Sequence, residues 1–206
     1  MKQPISVEKQ VVSRIYGRGR GNVFTPFDFA GLGSRAAVDF SLSQLAQRGV
    51  IRRLRRGLYD YPKTHSEIGL LSPQPEKVAQ ALARNSGLRL QPAGAFAANV
   101  LGLSEQVPAR VVFLTDGASR KVPIGRLVIE LRKAAPRHLA LAGRMSGTVI
   151  QALRFIGEPH VTPARIATLR RVLKAEDRRR LRQDARFAPA WMRPHLNAVA
   201  EGSRHA

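Results

Sequence analysis

Residues 34–62, SRAAVDFSLSQLAQRGVIRRLRRGLYDYP, constrain the fold more than any other part of the chain. Three local rules act along them in succession. Ser34 is a strong helix N-cap, because a short side-chain oxygen can accept from a backbone N–H in the first turn. At 100° per residue, Ala37, Val38, Leu42 and Leu45 then share one face of a helix that runs to Arg48. The opposite face carries Ala36, Asp39, Phe40, Ser43 and Gln47, with Arg35 and Gln44 on its flanks. Gly49 stops the helix. Ile51–Leu54, Arg55-Arg56-Gly57 and Leu58–Tyr61 follow as strand, loop and strand. Gly57 suits the left-handed position of a short hairpin loop, and Pro62, which has no N–H to give to a ladder, ends the second strand. A capped amphipathic helix running into an arginine-rich hairpin is the order of a winged helix-turn-helix.

The preceding residues supply what that motif needs. Ser6 caps a helix whose Val7, Val11, Val12 and Ile15 make an apolar stripe up to Tyr16, with Gly17 as its end. Residues 17–21, GRGRG, form a flexible basic connector. They do not make a phosphate-cradling loop of the dinucleotide or P-loop type, since no strand precedes them and no Lys-Ser/Thr follows. Val23-Phe24 is a short strand, and Thr25-Pro26 is the favoured order for starting a helix. Phe27, Phe29 and Leu32 are its anchors, and Gly31 and Gly33 close it. Two helices joined by a short glycine-containing turn make the helix-turn-helix.

Charge supplies the class of partner. The 206-residue chain carries 35 Lys and Arg against 14 Asp and Glu, a formal net charge of +21. Such a balance calls for a polyanionic partner: nucleic acid, an acidic protein or an anionic membrane. The excess is spread along the chain, with +8 over residues 1–63, +6 over 64–160 and +7 over 161–206. Net charge alone therefore does not pick out a site. Position does: four arginines, Arg52, Arg53, Arg55 and Arg56, fall within five residues directly after the candidate recognition helix. An isolated charge run is usually a solvated face, but here the arginines sit where a wing meets phosphates or a minor groove.

Residues 64–74 read as a linker, with Pro73 and Pro75 near its end, and residues 75–206 as a second, mainly helical α+β domain. Helices are expected at about 76–86 and 92–101, with a short strand at 88–90 between them. Arg110–Thr115 and Gly125–Arg132 are the clearest strands, and the turn residues Asp116, Gly117 and Ser119 pair them as a hairpin. Helices are expected beyond, at about 139–156, 163–174, 176–186 and 189–199. Along these, Arg170, Arg171, Lys174, Arg178, Arg179 and Arg182 form a basic cluster. It reads as a nucleic-acid patch, as a surface for an acidic partner, or as a solvated helix face.

The residues GRGRGNVFTPFDFAGLGSRAAVDFSLSQLAQRGVIRRLRRGLYDYP resemble the N-terminal winged helix of AbiEi-type abortive-infection antitoxins, transcriptional regulators of type IV toxin–antitoxin pairs. They look closest to a subgroup of similar length that forms an uncharacterised domain family. The resemblance rests on the VFTPFDF lead-in, the GSRAAVD helix start, the LAQRGVIRR helix-to-strand step and the RGLYDYP wing, and covers roughly residues 6–63. Phe40 departs from it, standing where a polar residue is expected. An aromatic there either touches a thymine methyl or packs against the second domain, and packing is the preferred expectation. Asp39 is expected to orient an arginine.

The resulting expectation is an α+β protein whose residues 1–63 bind DNA. Ser34, Arg35, Ala36, Asp39, Phe40, Ser43, Gln44 and Gln47 form the recognition-helix set, and Arg18, Arg20, Arg52, Arg53, Arg55, Arg56 and Tyr59 the wing and backbone set. By resemblance, the operator is a set of inverted repeats in the protein's own promoter, occupied by two copies, and the cognate toxin is a nucleotidyltransferase-like neighbour. Two other classes stay open, a protein-binding module that docks an acidic partner and a nonspecific DNA binder. No enzyme, cofactor or metal is expected. There is no cysteine, the five histidines (His65, His138, His160, His195 and His205) are scattered as surface or cap residues, and no GxSxG, HExxH or Walker pattern occurs. The first 15 residues lack the apolar core of a signal peptide, and no run approaches the roughly 20 apolar residues of a membrane span. A soluble, cytoplasmic protein is expected.

Overall fold

In the computed structural model, which describes residues 6–84, 86–106 and 108–201, the Ser6 hydroxyl accepts from the Lys9 N–H at 3.3 Å and opens α1 (Val7–Arg18). Gly17 lies inside this helix, which stops at Gly19 instead. After β1 (Val23–Phe24), a 3-10 turn at Pro26–Phe29 forms the second helix of the motif, and α2 (Arg35–Gln47) follows. Ser34 caps α2 as expected, accepting from the Ala37 N–H at 3.2 Å. The wing is β2 (Arg52–Arg55) and β3 (Leu58–Asp60), turned by Arg56 and Gly57, with Gly57 at φ +73°. β3 lies in the middle of an antiparallel sheet of order β1-β3-β2. Helix, strand, short helix, helix and two strands in this order make a winged helix-turn-helix.

Its core is aromatic at the centre. Phe24 of β1 meets Phe29 edge-on at 5.4 Å and stacks on Tyr59 of β3 at 6.4 Å. Val11 and Ile15 of α1 and Val38, Leu42 and Leu45 of α2 close around them. Beneath this core lies a buried carboxylate. The side chain of Asp28 is 2% exposed. It accepts from the Thr25 N–H at 2.8 Å, from the Thr25 hydroxyl at 3.2 Å and from Arg18 at 2.9 Å, and it also pairs with Arg84. One acid thus caps the 3-10 turn and ties it to α1 and to a helix more than fifty residues away.

That helix is α3 (Pro75–Arg84), and it moves the expected domain boundary. A division after residue 63 with a linker over 64–74 does not hold. β4 (Thr64–His65) and β5 (Gly69–Leu70) pair as a small ribbon, and Val78, Ala79, Ala81 and Ala83 of α3 are buried, with α3 against β1. The first compact unit therefore ends at Gly87 and the second covers residues 88–206.

The second unit is α+β, as expected, with different strand pairing. β6 (Leu90–Ala93) leads directly into α4 (Gly94–Val100), so the strand expected at 88–90 and the helix expected from 92 are both displaced towards the C-terminus. Four strands form a sheet of order β6-β7-β9-β8, where β7 is Arg110–Thr115, β8 Arg120–Ile124 and β9 Leu127–Lys133. β7 and β9 were expected to form a hairpin. They are parallel neighbours, Val112 facing Glu130 and Phe113 facing Leu131, and β9 makes its hairpin with β8. The sequence conceals β8 because Pro123 and two adjacent cations interrupt it, features that suit an edge strand. α4 and α5 (Met145–Ile156) lie against the sheet, with Phe96 on Phe113 at 5.4 Å and Gln91 donating to Thr148 at 3.2 Å.

α5 begins six residues later than expected, after Gly143 at φ +81°. α6 (Pro163–Val172), α7 (Ala175–Asp184) and α8 (Met192–Ala200) complete a helical core around Leu153, Leu169, Leu181 and Leu196. On the exposed face of β9 a hydrogen bond from Arg132 holds the Glu130 carboxyl below the usual glutamate range. Among the described residues no helix is long and apolar enough to cross a membrane.

Asp28→Ala removes the cap and strips two arginines of their common partner. Both arginines are partly solvated, which limits the loss, and destabilisation of about 2 kcal/mol is expected in urea unfolding. A change within about 0.5 kcal/mol contradicts the assigned role of Asp28.

Candidate nucleic-acid interface

Burial sorts the faces of α2 nearly as its periodicity implies. Val38, Leu42 and Leu45 are buried together with Ser41, whose hydroxyl returns to the Ala37 carbonyl at 2.8 Å. Ala37 is only half-buried. Arg35, Ala36, Phe40 and Gln47 are exposed, and Asp39, Ser43 and Gln44 lie at the margin. Asp39 orients Arg35: its carboxylate accepts from the arginine Nε at 2.8 Å, one turn away. This leaves both terminal nitrogens of Arg35 without a partner among the described residues. Phe40 is 65% exposed, and nothing in the first unit covers it. The Ser34 hydroxyl accepts from the Ala37 N–H and keeps its own hydrogen to donate.

The two strands of the wing sort the arginines by the alternation of the pleat. Arg53 and Arg55 point to solvent, while Arg52, directly across from Asp60, points inward. Arg52 grips the buried Asp60 carboxylate with two bonds, at 3.0 and 2.6 Å, and donates a third to the Leu71 carbonyl at 2.9 Å. It is therefore a structural arginine and leaves the phosphate-contacting set. Arg18 leaves it too, bound to Asp28, as does Arg20, which donates to the Pro62 carbonyl at 3.0 Å and lies over the Tyr61 ring at 4.5 Å. Tyr59 is 4% exposed and belongs to the core, with its ring beneath Arg53 at 5.8 Å. Arg55 and Arg56, at the tip, have no partner among the described residues.

Between the helix and the wing lies a recess of about 320 Å³. Arg35, Asp39 and Ser43 of α2 line one side, and Arg53, Arg56, Gly57 and Tyr59 of the wing line the other. Six of the sequence-derived site residues thus converge on one concave surface with three guanidinium groups and a single carboxylate. That carboxylate is already engaged. Arg55 and Phe40 are exposed and lie outside its lining.

The basic cluster of the second unit divides in the same way. Arg170 clamps the Ala198 carbonyl with two bonds, at 2.8 and 2.6 Å, and Arg178 donates to the Arg170 carbonyl at 3.2 Å, so both stitch α6 to its neighbours. Arg171, Lys174, Arg179 and Arg182 are exposed and unpaired among the described residues. The residues that sequence reasoning missed are Asp28 and Arg84, whose pairing spans 56 positions, and no local pattern announces it. His205 lies outside the described residues.

Residues 10–181 match the model of a family of unknown function, DUF6088, and the chain belongs to that family. No curated protein matches the chain significantly.

Arg52→Ala abandons the buried Asp60 carboxylate and is expected to cost about 3 kcal/mol in urea unfolding. Arg55→Ala, from the same arginine run, is expected to stay within about 0.5 kcal/mol of the parent. Equal losses at the two positions contradict the division between structural and outward arginines.

Proposed function

We propose that the chain is a sequence-specific DNA-binding regulator that docks α2 in a major groove and sets its wing on the flanking backbone. The observation that carries this reading is the shared recess of α2 and the wing, where Arg35, Arg53 and Arg56 converge without enough carboxylate to neutralise them. Three guanidinium groups on a concave surface repel one another unless an anion is brought in. Arg35, paired with Asp39 through Nε, keeps its terminal fork for the O6 and N7 acceptors of guanine. Ser43 and Gln47 face the same way with donors and acceptors for neighbouring base edges. Arg53, Arg55 and Arg56 meet phosphates, and so fix register without reading sequence.

Resemblance to AbiEi-type antitoxins extends the proposal. The operator is then a pair of inverted repeats in the protein's own promoter, filled by two copies in the cytoplasm, and the regulator counteracts a nucleotidyltransferase-like toxin encoded beside it. The support for this is the run of matching residues from Gly17 to Pro62 and the winged-helix order they adopt. One observation favours a different use of the same face: an uncovered aromatic such as Phe40 is the kind of residue that anchors protein interfaces. A gel shift with the DNA upstream of the gene separates the two, because a protein dock leaves that DNA free.

With three or four phosphates neutralised, log K is expected to fall against log salt with a slope of about −3 to −4. Replacing Arg55 and Arg56 together by Ala flattens that slope by about 2 and weakens all sequences alike. Arg35→Ala instead costs about 1–3 kcal/mol on the operator and little on random DNA. A slope near zero, or specificity lost at the wing tip and kept without Arg35, refutes the assignment.

A further inference from the structure

The second unit contains a small recess that DNA docking through α2 and the wing leaves unused. It opens between the 3-10 turn at Pro136–His138 and one face of α5. Arg137 and His138 line it from the turn, Gln151 and Arg154 from α5, and Phe187 from beyond α7. Its enclosed volume is about 20 Å³, room for one oxygen atom of a larger group whose remainder lies at the open mouth. The sequence marks His138 only as a scattered surface histidine. In the structure it is half-buried between two guanidinium groups.

Two observations point to a missing anion. Gln151 is 6% exposed, yet its amide has no hydrogen-bond partner among the described residues. Its amide atoms are not fully buried and reach the recess that Gln151 lines, where a ligand can meet them. The second observation is a gathering of positive groups with no acid to meet them. Arg137 and Arg154 form no ion pair among the described residues, and no carboxylate lines the recess. The Arg137 Nε–H donates to His138 Nε2 at 3.4 Å, a contact that favours the neutral imidazole. Burial first, then Arg154 and Arg137, holds the His138 pKa below the usual histidine range. A metal cation is repelled by both arginines, and an apolar ligand leaves the Gln151 amide and both guanidinium groups without a partner. An oxyanion meets each requirement: it accepts from the Gln151 amide and pairs with both guanidinium groups, which suits a tetrahedral dianion.

We infer that the recess formed by Arg137, His138, Gln151 and Arg154 binds one phosphate group as a phosphomonoester or inorganic dianion, with one oxygen seated on Gln151 and the others between the two arginines. The group comes either from a small free phosphate compound or from the 5′ end of a nucleic acid. All four residues lie in the second unit, so the site stands or falls independently of DNA docking by the winged helix.

The test uses the full chain and the ring resonances of His138, assigned by their loss in His138→Gln. Inorganic phosphate, adenosine 5′-monophosphate, and a short single-stranded oligonucleotide with or without a 5′ phosphate are titrated in at constant ionic strength. Saturable movement of the His138 ring towards the protonated form is expected. Arg154→Gln and Arg137→Gln, both at exposed positions, should each raise the half-saturating concentration about tenfold or more with the melting curve unchanged. Saturation by inorganic phosphate and the mononucleotide supports the site and names a small compound. Saturation only by the 5′-phosphorylated oligonucleotide supports it and names a nucleic-acid end. The inference is overturned if none of the probes moves the His138 ring saturably, if the unphosphorylated oligonucleotide does so equally well, or if Arg154→Gln responds like the parent.

Discussion

The scarcity of carboxylates is the constraint on which this structure depends. With 14 acidic residues for 35 basic ones, each buried acid decides which arginines are drawn inward and which stay free. Asp28 takes Arg18 and Arg84 and so joins α1, the 3-10 turn and α3. Asp60 takes Arg52 and locks the two wing strands in register. In the second unit Asp184 takes Arg144. Buried pairs of this kind add little net stability over an apolar core but penalise any arrangement that leaves the acid alone. Their effect is to specify one packing.

The arginines left over are not scattered evenly. In the first unit they lie on the wing, where Arg53, Arg55 and Arg56 face solvent beside the Asp39-oriented Arg35. A net charge of +21 could be satisfied by many weak surface contacts, and by itself it argues only for attraction to polyanions. A concave surface shared by a helix and a hairpin adds shape and direction to that attraction. Under the proposed reading, Arg35 with the neutral groups of the helix meets base edges, and the unpaired cations of the wing meet the backbone.

Much of the first unit was legible in the sequence because local rules govern it. Ser6 and Ser34 cap the helices they precede, Gly57 turns the wing, and the apolar period of α2 reappears as its buried face. The same rules could not separate Arg52 from Arg53 by residue type. The pleat could, since Arg52 lies opposite Asp60 and alternates with its exposed neighbour, a signal present in the hairpin but masked by the uniform arginine run. Arg18, Arg20 and Arg84 were beyond local reasoning, because their partners are chosen by tertiary contacts 10, 42 and 56 positions away. The parallel pairing of β7 and β9 failed for a similar reason. A proline-bearing edge strand between them looked like a turn, and only the assembled sheet shows that β9 lies between β7 and β8. In α3 the alanines gave a clear helix, but nothing local says that β1 receives it.

The most direct measurement of the central claim is a resonance map of the arginine side chains and backbone amides as DNA from upstream of the gene is added. Docking through the recess shifts Arg35, Ser43, Arg53 and Arg56 first, while the side-chain signals of Arg18, Arg20 and Arg52 stay in place because their partners are internal. Shifts centred on those three structural arginines, with α2 and the wing tip unmoved, contradict the claim.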